Sequence, residues 1–186
     1  MKIIQVEQPI TKQHFDSSMI LEGEGVSSYS KKICDYAHAY LYSEEAKLMD
    51  DIAYHVRSYS TKDENGLNFG VTYMQPVQVK GEYCLTRGHF HQDRSEPEIY
   101  ICTSGEGYLL KWDGKDEVIM EKMMKGSFHY IDGKYAHRLV NTGKEEMAVF
   151  CFWSNKAGHD YASIDTQGFP IRLMDDHGKV KIKEVE

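Results

Sequence analysis

Gly88-His89-Phe90-His91, followed after six residues by Glu98 and later by His137-Arg138-Leu139-Val140-Asn141, decides the reading of this chain. In an extended segment alternate side chains share a face. His89 and His91 flank Phe90 and therefore project together, roughly 6.6 Å apart along the backbone. The polar run Gln92-Asp93-Arg94-Ser95-Glu96-Pro97 reads as a hairpin loop, and beyond it Glu98, Tyr100 and Cys102 alternate with Ile99 and Ile101. Glu98 and Tyr100 are thus expected on the face that carries the two histidines. Imidazole nitrogen and carboxylate oxygen suit a divalent first-row transition ion, and an octahedral ion held by four side chains keeps two positions for water or substrate. The set reads as a catalytic metal centre. A lone His-x-His is a weak signal, and it gains weight here from Glu98, Gly105, Gly126, His137 and Asn141 at ordered offsets.

Around that stretch the chain breaks into short strand candidates: Ala53 to Tyr59, Asn68 to Met74, Gly81 to Arg87, Pro97 to Cys102, Gly107 to Trp112, Glu117 to Met123, Ser127 to Ile131, His137 to Asn141 and Met147 to Trp153. Ser104-Gly105-Glu106-Gly107, Asp113-Gly114 and Asn141-Thr142-Gly143 supply turns between them. Even spacing of this kind predicts an all-β sandwich or barrel whose consecutive strands pair as hairpins. The helical hint is Ser43 to Met49, where Ser43 is placed to cap a short helix with acidic residues in its first turn.

A chain of 186 residues, 41% hydrophobic and 27% charged, can bury one substantial core. One domain is expected, with residues 1–50 an extension packing on the barrel or on a second subunit and residues 51–186 forming the barrel and C-terminal strands. Met147 to Trp153 is too short an apolar run to span a bilayer, and Met1-Lys2-Ile3-Ile4-Gln5 carries no secretion signal. Cys34, Cys84, Cys102 and Cys151 contain no Cys-x-x-Cys pair and read as reduced thiols of a cytoplasmic protein. A net charge of −7 without a basic run argues against nucleic acid and anionic membrane as partners. Any anionic ligand must then be recognised by local donors.

The combined motifs resemble the cupins. His89-x-His91, Glu98 and Gly105 match the first cupin motif; Gly126, His137 and Asn141 match the second. Tyr83 stands where the first motif usually starts with glycine, and Asp132 and Lys134 replace a proline and a glycine of the second, so the turn before His137 is expected to be less rigid. The offset from Gly126 to Asn141 favours His137 over His129 as the third imidazole. The resemblance implies a double-stranded β-helix, the cupin jelly-roll barrel, with an N-terminal extension. Thr86-Arg87-Gly88-His89-Phe90-His91, Pro97-Glu98-Ile99-Tyr100, Ala136 to Gly143 and Ala157-Gly158-His159-Asp160-Tyr161 narrow the likeness to the cupin-type glucose-6-phosphate isomerases, over roughly residues 30 to 182.

That resemblance implies a metal-dependent aldose-ketose isomerase that interconverts glucose 6-phosphate and fructose 6-phosphate in glycolysis and gluconeogenesis, working as a homodimer in the cytoplasm. Carried over by position, its metal ligands are His89, His91, Glu98 and His137, for one divalent ion, iron, manganese, zinc or nickel. Glu98, His159 and Tyr161 are the catalytic candidates. Thr72, Thr86, Gly88 and Tyr100 are the candidates for binding the sugar phosphate, and Trp153, where tyrosine is common, is expected to reshape the pocket wall. Arg87 takes a position where lysine is common, and Lys125 departs from an expected turn residue. Two other readings use the same ligands: a cupin dioxygenase, or a sugar-binding cupin without turnover. The hydroxyl-rich strand positions and the His159–Tyr161 segment favour the isomerase over both.

Overall fold

Runs of valine, isoleucine and aromatic residues, cut by glycine and asparagine turns, become strands in the computed structural model of the chain, which describes residues 3–7, 11–12, 21 and 24–185. A seven-stranded sheet has the order β2 (Thr11–Lys12), β11 (Ser127–Ile131), β8 (Glu98–Ser104), β13 (Met147–Ser154), β5 (Leu67–Met74), β4 (Ile52–Tyr59), β3 (Val26–Lys32). A four-stranded sheet has the order β1 (Ile3–Glu7), β10 (Glu117–Met124), β9 (Glu106–Trp112), β12 (Ala136–Asn141). A smaller sheet joins β15 (Lys179–Glu184), β14 (Ile171–Asp176), β7 (Glu82–Tyr83) and β6 (Gln78–Val79).

From β8 onward the chain passes back and forth between the two large sheets. β8 lies in one, β9 and β10 in the other, β11 returns to the first, β12 crosses again and β13 crosses back. That winding is the double-stranded β-helix of a cupin barrel. It also corrects the hairpin expectation, because β9–β10, β3–β4, β4–β5 and β14–β15 are adjacent pairs whereas β8–β9, β10–β11 and β12–β13 are not. Gln92 to Pro97 is likewise a crossover. Glu98 enters on β8 beside β11 and β13, while His89 bridges to His137 on β12 of the opposite sheet. The candidate strand Gly81 to Arg87 reduces to β7 and a lone bridge from Leu85 to Val140. Gly88 has φ +76°, a left-handed conformation that ends regular extended structure.

The two large sheets close over a core that includes Met74, Cys102, Leu109, Met120, Ile131, Leu139 and Val149. Leu109 is fully buried, a burial that stabilises by about 1.5–3 kcal/mol. The other face of the larger sheet carries Val71, Ala148 and Phe150, with Phe69, Tyr73, Ile101 and Phe152 packed against them. All six residues of β12 are buried, because one of its faces lines the core and the other is covered by the segment around Phe169.

Among the described residues before the barrel, β1 adds in parallel to β10, β2 pairs with β11, and β3 extends the larger sheet at β4. The helix expected near Ser43 is α1 (Ser43–Ala46), one turn long, with Tyr42 at its N-cap and no side-chain cap, so Ser43 starts the helix instead of capping it. Elements outside the strand and helix candidates include β3, a 3₁₀ segment Ile33–Ala39 and α2 (Tyr161–Gln167). α2 buries only Ile164 and so shows no helical stripe; its start is held by Asp160, whose carboxylate accepts the Ser163 N–H. Among the described residues no helix is long and apolar enough to cross a membrane.

Candidate metal centre

Backbone pairing places the four expected ligands. His89 and His137 exchange both backbone hydrogen bonds, at 3.2 and 3.0 Å, so their side chains leave the same face side by side. Their ring centroids lie 4.4 Å apart. His91 follows two residues on, its ring 5.2 Å from that of His137, and Glu98 arrives from the facing sheet. Glu98 Oε2 lies 3.2 Å from His91 Nε2 and 3.1 Å from His137 Nε2. One ligand atom from each of the four falls within 4.8 Å of the others.

Several features fit this set to a divalent ion. The buried Nε2 atom of His89 has no hydrogen-bond partner, a costly state for a polar atom unless a ligand takes the lone pair, and His137 Nε2 faces Glu98 Oε2 alone. The His91 Nδ1–H donates to the Glu96 carbonyl at 2.7 Å, which in the neutral ring leaves Nε2, facing Glu98, as the lone-pair nitrogen. Burial, reinforced by His137, His159 and His91, holds the His89 imidazole well below its usual range and keeps it neutral. Burial raises Glu98, but hydrogen bonds from His137 and His91 outweigh it and the net direction is down, toward carboxylate. His91 is pulled down by burial and pushed up more strongly by Glu98 and the Glu96 carbonyl.

The cluster opens into a cavity of about 390 Å³. Every substrate candidate lines it: Thr72, Thr86, Gly88, Tyr100, Trp153, His159 and Tyr161. Tyr100 stands two residues after Glu98 on β8, its ring 5.7 Å from His137, its phenol pushed well up by burial and by the Glu98 charge. Trp153 is the cross-strand partner of Glu98 on β13. His159 lies 4.4 Å from the His89 ring and stacks on Tyr161 at 5.5 Å with an interplanar angle of 7°. Burial lowers His159; Glu98 opposes this, while His137 and His91 add to it. The Thr86 hydroxyl accepts the Leu139 N–H at 3.0 Å, so its own proton remains to be donated toward the cavity.

Other cavity residues escaped the sequence reading. Tyr54, Val56 and Ser58 on β4 and Asn68 and Gly70 on β5 line it at period two, a signal readable once the inner face of each strand is known. Arg87 lies 4.6 Å over the Tyr161 ring and pairs with Asp165 of α2, which also takes His38 at 2.8 Å. The turn before His137 is tied, contrary to expectation: Asp132 accepts the Lys134 N–H through its carboxylate and the Tyr135 N–H through its carbonyl. His129 lies outside the cluster, bonded to Glu121 and Ser127 at 2.7 Å each.

Comparison with known proteins gives concordant matches. The profile of the family described as Glucose-6-phosphate isomerase (GPI) matches residues 30–186. A glucose-6-phosphate isomerase of Pyrococcus horikoshii is 31% identical over 176 residues, 92% of this chain and 92% of that relative. One from Thermococcus gammatolerans is 34% identical over 163 residues, 85% of this chain and 86% of that relative. Among solved structures an oxalate oxidase is similar at 16% identity with a TM-score of 0.49, covering 60% of this chain and 56% of that one.

Proposed function

The chain belongs to the glucose-6-phosphate isomerase (GPI) family, and from that premise we propose that it interconverts glucose 6-phosphate and fructose 6-phosphate with one divalent transition ion held by His89, His91, Glu98 and His137. The observation that carries this reading is the juxtaposition of three imidazoles and a carboxylate, within 4.8 Å of one another, with a cavity walled by hydroxyls.

When bound by His89, His91, Glu98 and His137, the ion would supply Lewis acidity toward the oxygens of the open-chain sugar. The chain's own residues do the rest. Thr72, Thr86, Gly88 and Tyr100 donate to sugar and phosphate oxygens, and Trp153 walls the pocket beside Glu98. His159 and Tyr161, stacked on each other beside the His89 ring, are proposed to shield the reacting carbons and to pass a proton between the two oxygens. For the carbon-bound hydrogen there are two routes. In one, Glu98 takes the proton from C2 of the aldose and returns it to C1 of the enediol, giving the ketose. In the other the hydrogen passes directly between the carbons and Glu98 only holds the ion. Ion binding lowers the basicity of Glu98 and weighs toward the second route.

Iron, manganese, zinc and nickel all accept this donor set. We further propose residues 1–50 as an extension and 51–186 as the barrel, a homodimer, and a cytoplasmic setting. Exposed Tyr59, Leu67, Ile99 and Tyr130 support the dimer, and four free cysteines support the reducing compartment. The test of the activity is a coupled assay of glucose 6-phosphate formation after chelation and stepwise return of each ion. Activity is expected to vanish and to return; full activity in metal-free protein refutes the metal reading, and no isomerisation with any ion refutes the function.

A further inference from the structure

Behind the cavity, next to His137, lies a buried cation that the chemistry above does not use. Arg138 is 2% exposed. Its Nη2 donates to the Arg87 carbonyl at 2.6 Å, its guanidinium stacks 4.1 Å over Phe169, and its Nε and Nη1 have no hydrogen-bond partner. The buried carboxylate nearby, Glu82, pairs with Arg172 at 3.3 Å and accepts the Leu41 N–H at 2.8 Å.

The backbone explains why an arginine is there. Thr86 pairs with Leu139 and His89 with His137, so Arg87 and Gly88 together oppose the single residue Arg138. Two residues against one is a β-bulge, a device that re-aims side chains beside a site. A Cβ on Gly88 would meet Arg138 Cβ and Nε at 3.1 Å and Phe169 at 2.9 Å, so the arginine packs directly against the bulge. A guanidinium whose nearby carboxylate, Glu82, is hydrogen-bonded elsewhere is expensive to bury. In a chain of net charge −7 it also creates a local positive potential behind Thr86 and Gly88.

We propose that Arg138 is the positioning residue for the anionic end of the substrate: it closes the Arg87–Gly88 bulge from behind and adds a positive charge that, unlike that of Arg87 on Asp165, is not spent on an ion pair. The inference rests on the reading that Thr86 and Gly88 receive the phosphate.

The test compares metal-loaded wild type, Arg138→Gln and Arg138→Lys, measuring KM and kcat for fructose 6-phosphate and the inhibition constant of inorganic phosphate, with metal content by elemental analysis. Arg138→Gln keeps a neutral donor and removes the charge, and is expected to raise KM and the phosphate inhibition constant about tenfold. Its kcat should stay within about threefold and its metal content should not change. Arg138→Lys, which keeps charge without the planar fork, should fall between wild type and Gln. A loss of kcat with both constants unmoved, or identical behaviour of Gln and Lys, overturns the proposal. If Arg138→Gln does not fold, Arg138→Lys decides alone, and unchanged constants in it overturn the idea. A wild type that turns over fructose as well as fructose 6-phosphate and ignores inorganic phosphate refutes the phosphate reading itself. Phosphate dependence in wild type that survives in Arg138→Gln refutes the role of Arg138 only.

Discussion

Glu98 shows how much one side chain can be asked to do. It reaches two histidines within 3.2 Å, is 5% exposed, and is the carboxylate of the four-residue cluster. Glu98→Gln retains size and one oxygen donor and removes charge and basicity. If Glu98 moves the proton, kcat should fall by about 10²-fold or more while KM shifts much less. Near-normal kcat with metal still bound would leave the direct hydrogen transfer standing. Residue-scale features were well legible in the sequence, because period-two alternation put His89, His91, Glu98 and Tyr100 on inner faces whatever sheet each strand joined. His137 was separable from His129 by motif offset, and the structure gives the physical counterpart. His129 is occupied with Glu121 and Ser127, whereas His137 Nε2 faces Glu98 inside the four-residue cluster.

At the scale of elements the sequence was a weaker guide. Strand runs from β8 to β13 were legible almost to the residue, since each is bounded by turn chemistry, but strand pairing was not. Pairing in a double-stranded β-helix alternates between sheets, and nothing local to Gln92–Pro97 distinguishes a crossover from a hairpin loop. α2 stayed hidden because it buries a single residue. The segment around Thr86 shows what pairing adds. Its hydroxyl was expected to serve substrate, and it also accepts the Leu139 N–H. Thr86→Val therefore loses two things: a donor to the pocket, and the acceptor for a backbone N–H, at about 1–3 kcal/mol if that N–H is left unpaired. The expected outcome is a lower melting temperature together with a raised KM for fructose 6-phosphate. Thr86→Ser keeps the hydroxyl and separates the effects; its KM should stay within about twofold of wild type. A Thr86→Val enzyme with unchanged KM would remove Thr86 from the substrate pocket.

For the whole molecule, the proposed centre would couple folding, protons and the ion. In the chelated protein Glu98 has protons on histidine as its partners. His91 is shifted upward, the opposing effect of burial being outweighed by Glu98 and the Glu96 carbonyl. A folded value above the unfolded 6.5 means that His91 contributes stability fully present below pH 6.5 and lost as pH rises through the folded value. His89 is shifted the other way by burial, so its contribution is present above pH 6.5 and lost as pH falls toward its depressed value. The windows do not overlap. Glu82, raised by burial to about 6, adds a third: its contribution is present below its unfolded value of 4.5 and lost as pH rises through about 6. A bound metal would replace the proton beside Glu98 and require neutral imidazoles, so on the proposed reading the loaded protein escapes the alkaline loss belonging to His91. The chelated chain should therefore melt at progressively lower temperature as pH is raised from 6.5 to 8, while the loaded chain should hold steady across that range. Calorimetry at matched pH values tests this, together with metal titrations in two buffers of different ionisation enthalpy, where proton release on binding should grow as pH falls from 8 to 6. Identical pH profiles for chelated and loaded protein above pH 6.5, with no proton release, would mean that His91 and Glu98 do not share an ion. The four-residue cluster would then be a buried salt-bridge network.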